Sequence, residues 1–305
     1  MEELITEIPI LRSAKKVEEI HKGYSFDKKY LVTVNEQEKY LLRTSGAKEY
    51  ERKTTEFAIL QEMKKLHVQS PQPIELGLLE DKGMCYSVYS YVEGEDAKIK
   101  LPAYTLREQY SIGMAASQDL KRMHSLQAPS TIESWFPRIT KKYKRYIDAY
   151  KTCGKRIHSD HRLIDFIETN VDLLKNRPNR FQHDDFHPGN IIEKNKQYSG
   201  VIDFERFDWG DPFHDFVKVG MFSCETSIPF SVGQIIGYFN GEIPEHFWRL
   251  YSIYLVMTIF SSIVWTLKAA PDTIDEMMER LYRVMEDHKN FENLTPGWFL
   301  TGFKQ

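Results

Sequence analysis

Cysteine is scarce in this 305-residue chain: Cys85, Cys153 and Cys224 stand far apart, odd in number and in no Cys-x-x-Cys pair. That pattern argues against a disulfide framework and suits a reducing compartment, so a cytoplasmic protein is expected. A surplus of positive charge is missing too, with 41 Lys and Arg against 44 Asp and Glu, a net charge of −3 and a pI near 6.4. A nucleic-acid partner would call for a basic face. The one basic run, Lys141-Lys142-Tyr143-Lys144-Arg145, is short and reads as a solvated helix face. The first sixteen residues lack the basic start and unbroken apolar stretch of a secretory signal. Only one long uncharged run is present, 18 residues from Leu250 to Leu267, and it is interrupted by Ser252, Thr258, Ser261, Ser262 and Thr266. It reads as a helix buried in a large lobe, so no membrane partner is expected. No internal repeat or low-complexity tract is visible.

What is present falls into two parts. After a short helix or arm over residues 1–15, three strand-like runs (VEEIHKGYS, KKYLVTV and KYLLRTS) precede a helix from about Lys48 to Leu66. Phe57, Leu60, Met63 and Leu66 mark its apolar face, and two further strands follow, IELGLLE and MCYSVYSYV. Five antiparallel strands and one helix make a first lobe over residues 1–92. The turn Glu93-Gly94-Glu95-Asp96 opens a second lobe, 93–305, that is mostly helical: about 104–127, 138–151, 160–176, 212–222, 231–241, 244–269 and 272–288. The tail, with Trp298, Phe299 and Phe303, is expected to dock on that lobe.

The chemistry concentrates in Phe181–Asp215, two short strands joined by a turn and flanked by charged loops. His183, Asp185 and Asn190 fall in the first loop and Asp203 at the end of the second strand. This spacing can set one carboxylate against an acceptor hydroxyl and leave a carboxylate plus a carboxamide to hold Mg²⁺. The sequence His183-Asp184-Asp185-Phe186-His187-Pro188-Gly189-Asn190 fits His-x-Asp-x-x-x-x-Asn, followed by Asp203-Phe204-Glu205 and Trp209-Gly210-Asp211-Pro212-Phe213-His214-Asp215. Together these resemble the catalytic core of the aminoglycoside phosphotransferase family, small-molecule kinases of the protein-kinase-like fold.

The resemblance implies an α+β, bilobal fold with a small catalytic β-hairpin in the second lobe, and roles for particular residues. Asp185 would orient and deprotonate the acceptor hydroxyl, and His183 would brace the loop. Asn190 and Asp203 would hold Mg²⁺. Arg43 stands where the family usually presents Lys, with Glu56 on the next helix to pair with it. Gly23, Tyr24 and Ser25 would form a nucleotide loop, although a single glycine is weak evidence for one. Ser90, Tyr91 and Val92 would meet the base of ATP or GTP through their backbone. The family commonly has Gly where this chain has Asp184, which is expected to make a structural contact. His187 stands where protein kinases carry a catalytic-loop lysine.

An aminoglycoside is the expected acceptor, with a macrolide or a small metabolite of the choline, homoserine or methylthioribose type as alternatives. Residues 271–292 hold seven acids against three bases, which would suit a polycation but equally fits a solvated helix face. Two rival readings use the same residues. One is a nucleotide-binding pseudokinase; the other is a dinuclear metallohydrolase built on His183, Asp184, Asp185, His187 and His214.

Overall fold

The computed structural model describes residues 2–21 and 27–302. Two compact units emerge: Met1–Gly94 with Ser199–Glu205, and Glu95–Tyr198 with Arg206–Gln305. The fold is the α+β protein-kinase-like one, with a five-stranded antiparallel sheet in the first unit and a mainly helical second unit.

The first unit opens with α1 (Glu2–Glu7) and a 3-10 turn, followed by β1 (Lys16–Ile20), β2 (Lys28–Thr33) and β3 (Lys39–Gly46). Then come α2 (Tyr50–Lys65), β4 (Pro73–Leu79) and β5 (Met84–Ser90), giving strand order β1-β2-β3-β5-β4. The β2–β3 hairpin closes on Asn35, whose side-chain oxygen accepts the N–H groups of Gln37 and Glu38. Alternation along the strands then sorts the two faces of the sheet. Tyr30, Val32, Leu42, Tyr86 and Val88 pack against Leu4, Ile5, Ile8 and Leu11, so the N-terminal arm is a cover for one face. Lys29 and Arg43 are directly opposed across β2 and β3, one step out of phase with that apolar set, and belong to the other face. On α2 the buried stripe is Lys53, Glu56, Ile59, Leu60 and Met63. Its N-terminal half is therefore ionic, and of the four apolar positions expected to mark its face, Phe57 and Leu66 are only half-buried.

The second unit begins with β6 (Glu95–Asp96), α3 (Ala97–Lys100), α4 (Leu106–Met123), α5 (Trp135–Thr152) and α6 (Asp160–Asn170). The small strands β7 (Arg180–Gln182), β8 (Ile191–Lys194), β9 (Gln197–Val201) and β10 (Asp208–Gly210) follow. β7 pairs with β10 and β6 with β8, and along β9 the chain passes into the first unit after Tyr198. The helices α7 (Cys224–Thr226), α8 (Ile228–Tyr238), α9 (Phe247–Ala269), α10 (Ile274–Asp287) and α11 (Gly297–Thr301) complete it. A Thr105–Glu108 capping box starts α4, and Ser227 caps α8. The uncharged run expected to be a core helix is one: α9 is apolar and long enough to cross a membrane, yet 67% of its most apolar window is buried in the fold. Trp298 is buried and Phe299 packs on Trp248 with ring centroids 4.7 Å apart, so the tail is docked as far as it is described; Phe303 lies outside the described residues. All three cysteines are free thiols.

One expected helix is different. Residues 212–222 form a 3-10 turn, Pro212–Phe216, and then a π-helical turn, Val219–Ser223. Side-chain hydrogen bonds compete with regular helix here. Asp211 caps the turn at Phe213 N–H while accepting from Arg177 and the Tyr254 hydroxyl, and Asp215 is committed to the loop at 183–184.

The second unit also depends on glycine where α4 meets α8. A Cβ on Gly113 would lie 2.1 Å from the Phe230 carbonyl oxygen, and one on Gly233 would lie 2.3 Å from that of Tyr110. Backbone cannot yield as a side chain does. Gly113→Ala is therefore expected to force the helices apart and lower stability by about 1–3 kcal/mol, read as an earlier midpoint in chemical denaturation.

Candidate active site

The loop after β7 is fixed by one carboxylate. Asp215, fully buried, accepts the backbone N–H groups of His183 at 2.8 Å and Asp184 at 2.7 Å. His124 Nε2 lies 3.0 Å from the same carboxylate, with its Nδ1 against the Tyr238 hydroxyl. This clamp holds Asp184 at φ +57°, the left-handed region that Asp tolerates better than most residues and Gly best of all. The glycine common at this place in the resembled family thus has a conformational cause. The Asp184 side chain turns away from Asp185 to lie 3.3 Å from His214 Nδ1, the structural contact expected of it. Burial alone would raise its carboxyl; His214 and Lys218 instead hold it well below the usual carboxylate range.

His183 is fully buried, and its Nδ1 accepts the N–H of Asp185 at 3.3 Å. The Asp185 carboxylate receives Lys218 Nζ at 3.0 Å and lies 3.5 Å from His187 Nε2. Asn190 donates its amide to the Asp185 carbonyl at 2.9 Å and to its carboxylate at 3.1 Å. Burial pushes the Asp185 carboxyl up, but His187 and Lys218 outweigh it and keep it well below the usual range. His187 Nδ1 accepts from Gly189 N–H, which leaves a neutral ring donating from Nε2, toward Asp185. Lys218 was invisible in the motif because it arrives 33 residues downstream, from the foot of the π-helical turn.

In the first unit Arg43 pairs with Glu56 at 2.9 Å, joining the strand cation to the helix carboxylate as expected. Three further groups share that buried cluster. Asp27 binds Arg43 at 2.6 Å and also Lys53, while Glu205 binds Lys53 at 2.7 Å and also Arg43. Two cations therefore face three carboxylates out of water. Burial would raise the Asp27 carboxyl, yet Arg43 and Lys53 hold it below its ordinary value; burial and Arg43 together lower the Lys53 ammonium against the pull of Glu56 and Asp27. Lys53 sits three residues before Glu56 on one helix face, a spacing that could have flagged it. Asp27 carried no such signal. Lys29, opposite Arg43, is half-buried, and its ammonium is lowered by burial and by Arg43 while Asp203 acts to raise it.

Each candidate metal ligand, one in each unit, has a hard oxygen donor to offer. Asn190 spends its amide N–H groups on Asp185, which leaves its carbonyl oxygen for coordination. Asp203, half-buried at φ +70°, makes no hydrogen bond or ion pair among the described residues. A carboxamide oxygen and a carboxylate are the few protein ligands Mg²⁺ takes beside phosphates and water. No group of three His, Cys, Asp or Glu side chains among the described residues is arranged to hold a metal ion, which leaves the metallohydrolase without a site there. In the linker, Ser90 N–H is used by Gln72 and Tyr91 N–H by Lys39. Val92 N–H makes no hydrogen bond among the described residues. Gly23, Tyr24 and Ser25 lie outside the described residues.

Comparison with known proteins follows this geometry. The phosphotransferase enzyme family matches residues 16–249. No curated protein matches in sequence. Among solved structures, the GDP complex of aminoglycoside 2'-phosphotransferase-IIIa is similar at TM-score 0.70 and 16% identity, covering 93% of this chain and 97% of that one. The gentamicin complex of APH(2")-IIa aligns at TM-score 0.66 and 17% identity over 92% and 94%. A thermostable APH(4)-Ia with ADP and hygromycin B aligns at 0.70 and 12% over 94% and 98%. At these identities the likeness shows the fold alone.

The buried cluster makes two predictions. Asp27→Ala leaves Arg43 and Lys53 short of a partner and is expected to cost about 3–5 kcal/mol in denaturant unfolding. Because the Asp27 carboxyl is depressed in the folded state, its contribution is complete above its unfolded value of about 3.9 and fades as pH falls through the folded one. Wild-type stability should accordingly drop on acidification below about pH 4, and Asp27→Asn should flatten that drop.

Proposed function

The chain belongs to the phosphotransferase enzyme family, and from that premise we propose that it is a small-molecule kinase moving the γ-phosphate of ATP or GTP to a hydroxyl acceptor. The observation that carries this reading is the Asp185 carboxylate, kept ionised and fixed from opposite sides by Lys218 and Asn190. In phosphoryl transfer the protein mainly positions groups and compensates charge. Asp185 accepts the hydroxyl hydrogen and aims the oxygen lone pair. The acceptor oxygen bonds to the γ-phosphorus as the bond from that phosphorus to the β–γ bridging oxygen breaks. The hydroxyl proton passes to Asp185 and on to solvent, and the nucleoside diphosphate leaves. A carboxylate with so low an affinity for protons suits a late transfer in a loose transition state.

Arg43 serves as the phosphate-facing cation and Glu56 its anchor, with Lys29 across the strand pair as a second positive group. Val92 N–H and the carbonyls of the linker are the groups offered to the base. Asn190 and Asp203 would hold Mg²⁺, which when bound neutralises the phosphates' charge. The names of the similar structures include nucleotides and aminoglycosides, so an aminoglycoside acceptor draws its support from likeness. Three free thiols support a reducing compartment.

Asp185→Ala is expected to lower acceptor-dependent nucleotide consumption by roughly 10²–10⁴-fold while nucleotide affinity, read by titration, changes little. Wild-type turnover in that variant would remove the carboxylate from the mechanism.

A further inference from the structure

Positive charge for a triphosphate is scarcer in the first unit than its cations suggest. Arg43 is buried, and its two terminal nitrogens are committed to Glu56 at 2.9 Å, to Asp27 at 2.6 Å and to Glu205. Lys53 is buried too and is held by the same three carboxylates. Arg52 approaches the rim of the cluster, 3.8 Å from Asp27 and 3.7 Å from Glu205, but brings Glu49 with it at 2.9 Å. Three cations therefore stand against four carboxylates. The cluster carries no surplus of positive charge, and whatever field Arg43 projects beyond it is offset by these partners.

Lys29 differs on each count. On β2 it lies directly opposite Arg43 on β3 and Ile20 on β1, so it shares the face of the sheet to which Arg43 belongs. It is half-buried, and it makes no hydrogen bond or ion pair among the described residues. The carboxylates around it are committed elsewhere, with one exception. Asp27 and Glu56 serve the cluster, and Glu18, diagonal to Lys29 on β1, pairs with Lys16 at 2.9 Å. The exception is Asp203, which belongs to the same unit and is close enough to act on the charge of Lys29. Burial and Arg43 push the Lys29 ammonium down, with Asp203, Asp27 and Glu56 opposing them. A partly desolvated cation without a partner gains most when an anion arrives.

Resting on the kinase reading, we propose that Lys29 makes the direct bond to the phosphates of the nucleotide, while Arg43 holds together the frame behind it. Two roles are divided between neighbouring strands: the ion pair with α2 stays with Arg43, and the phosphate contact falls to Lys29. The chemistry of each side chain suits its part. A planar fork joins several fixed carboxylates, whereas a compact ammonium on a flexible stem follows the oxygens of a ligand.

The test uses the full-length protein with Mg²⁺ and measures affinity for ATP and GTP, and for adenosine and guanosine, by titration. Lys29→Met is expected to weaken binding of the triphosphate roughly tenfold or more and to leave nucleoside affinity unchanged, because the lost contact is to phosphate alone. Without ligand its denaturation midpoint should not fall, since Lys29 gives up no partner, in contrast to Asp27→Ala. Lys29→Arg keeps the charge and should recover much of the affinity. Wild-type affinity for ATP and GTP in Lys29→Met overturns the proposal and leaves the kinase reading standing. Equal losses for triphosphate and nucleoside also overturn it, because the residue then acts on the base or on the fold. A wild-type protein that binds neither triphosphate removes the kinase reading itself, and the proposal with it.

Discussion

The Asp215 carboxylate governs the catalytic loop. Two consecutive N–H groups, from His183 and Asp184, converge on it, and a buried imidazole backs it. An unpaired carboxylate at that depth would be very costly, and so would unpaired backbone donors, so each party requires the others. The consequence reaches Asp185 through geometry. With the preceding peptides pinned and Asp184 held left-handed, Asp185 is presented from a backbone with little freedom. Asn190 then closes the loop by bonding both the carbonyl and the carboxylate of Asp185.

The first unit handles charge differently. Its ionic cluster lies under a sheet whose other face is covered by the N-terminal arm, and it unites a strand, a helix, Asp27 just before β2 and the residue two past Asp203. A pair of Arg43 and Glu56 alone would be a modest device. Four buried charges and the half-buried Glu205 satisfy one another more completely, and loss of a buried member leaves the others to bear the cost of desolvation. Arg43 and Lys53 each reach all three carboxylates, the one through its planar fork and the other through a single ammonium.

Much of this was legible in the sequence, for identifiable reasons. The sheet, α2 and the capped or apolar helices follow local periodicity and turn residues, and the His183 to Asn190 loop has fixed internal spacing. The pairing of Arg43 with Glu56 followed from strand–helix order. What escaped was long-range. Lys218, Asp27 and Asp215 act across 16 to 33 residues of chain with no shared periodicity. The 212–222 segment escaped for a related cause: Asp211-Pro212 is a sound helix start, but tertiary hydrogen bonds to Asp211 and Asp215 accompany 3-10 and π turns instead. The basic run on α5 is a largely solvent-facing one, as the sequence suggested, with Lys141, Lys144 and Arg145 exposed.

The same distinction bears on the acceptor. Backbone features such as the glycine contacts between α4 and α8 have few alternatives that fit the space. Side chains beyond the reacting atoms face no such limit, and a fold hosts many functions through them. Phe222, Lys218 and Arg280 belong to that second class. The charges of Lys218 and Arg280 are a property of this chain and not of its architecture, and each is paired with a carboxylate, Asp185 and Glu225 respectively.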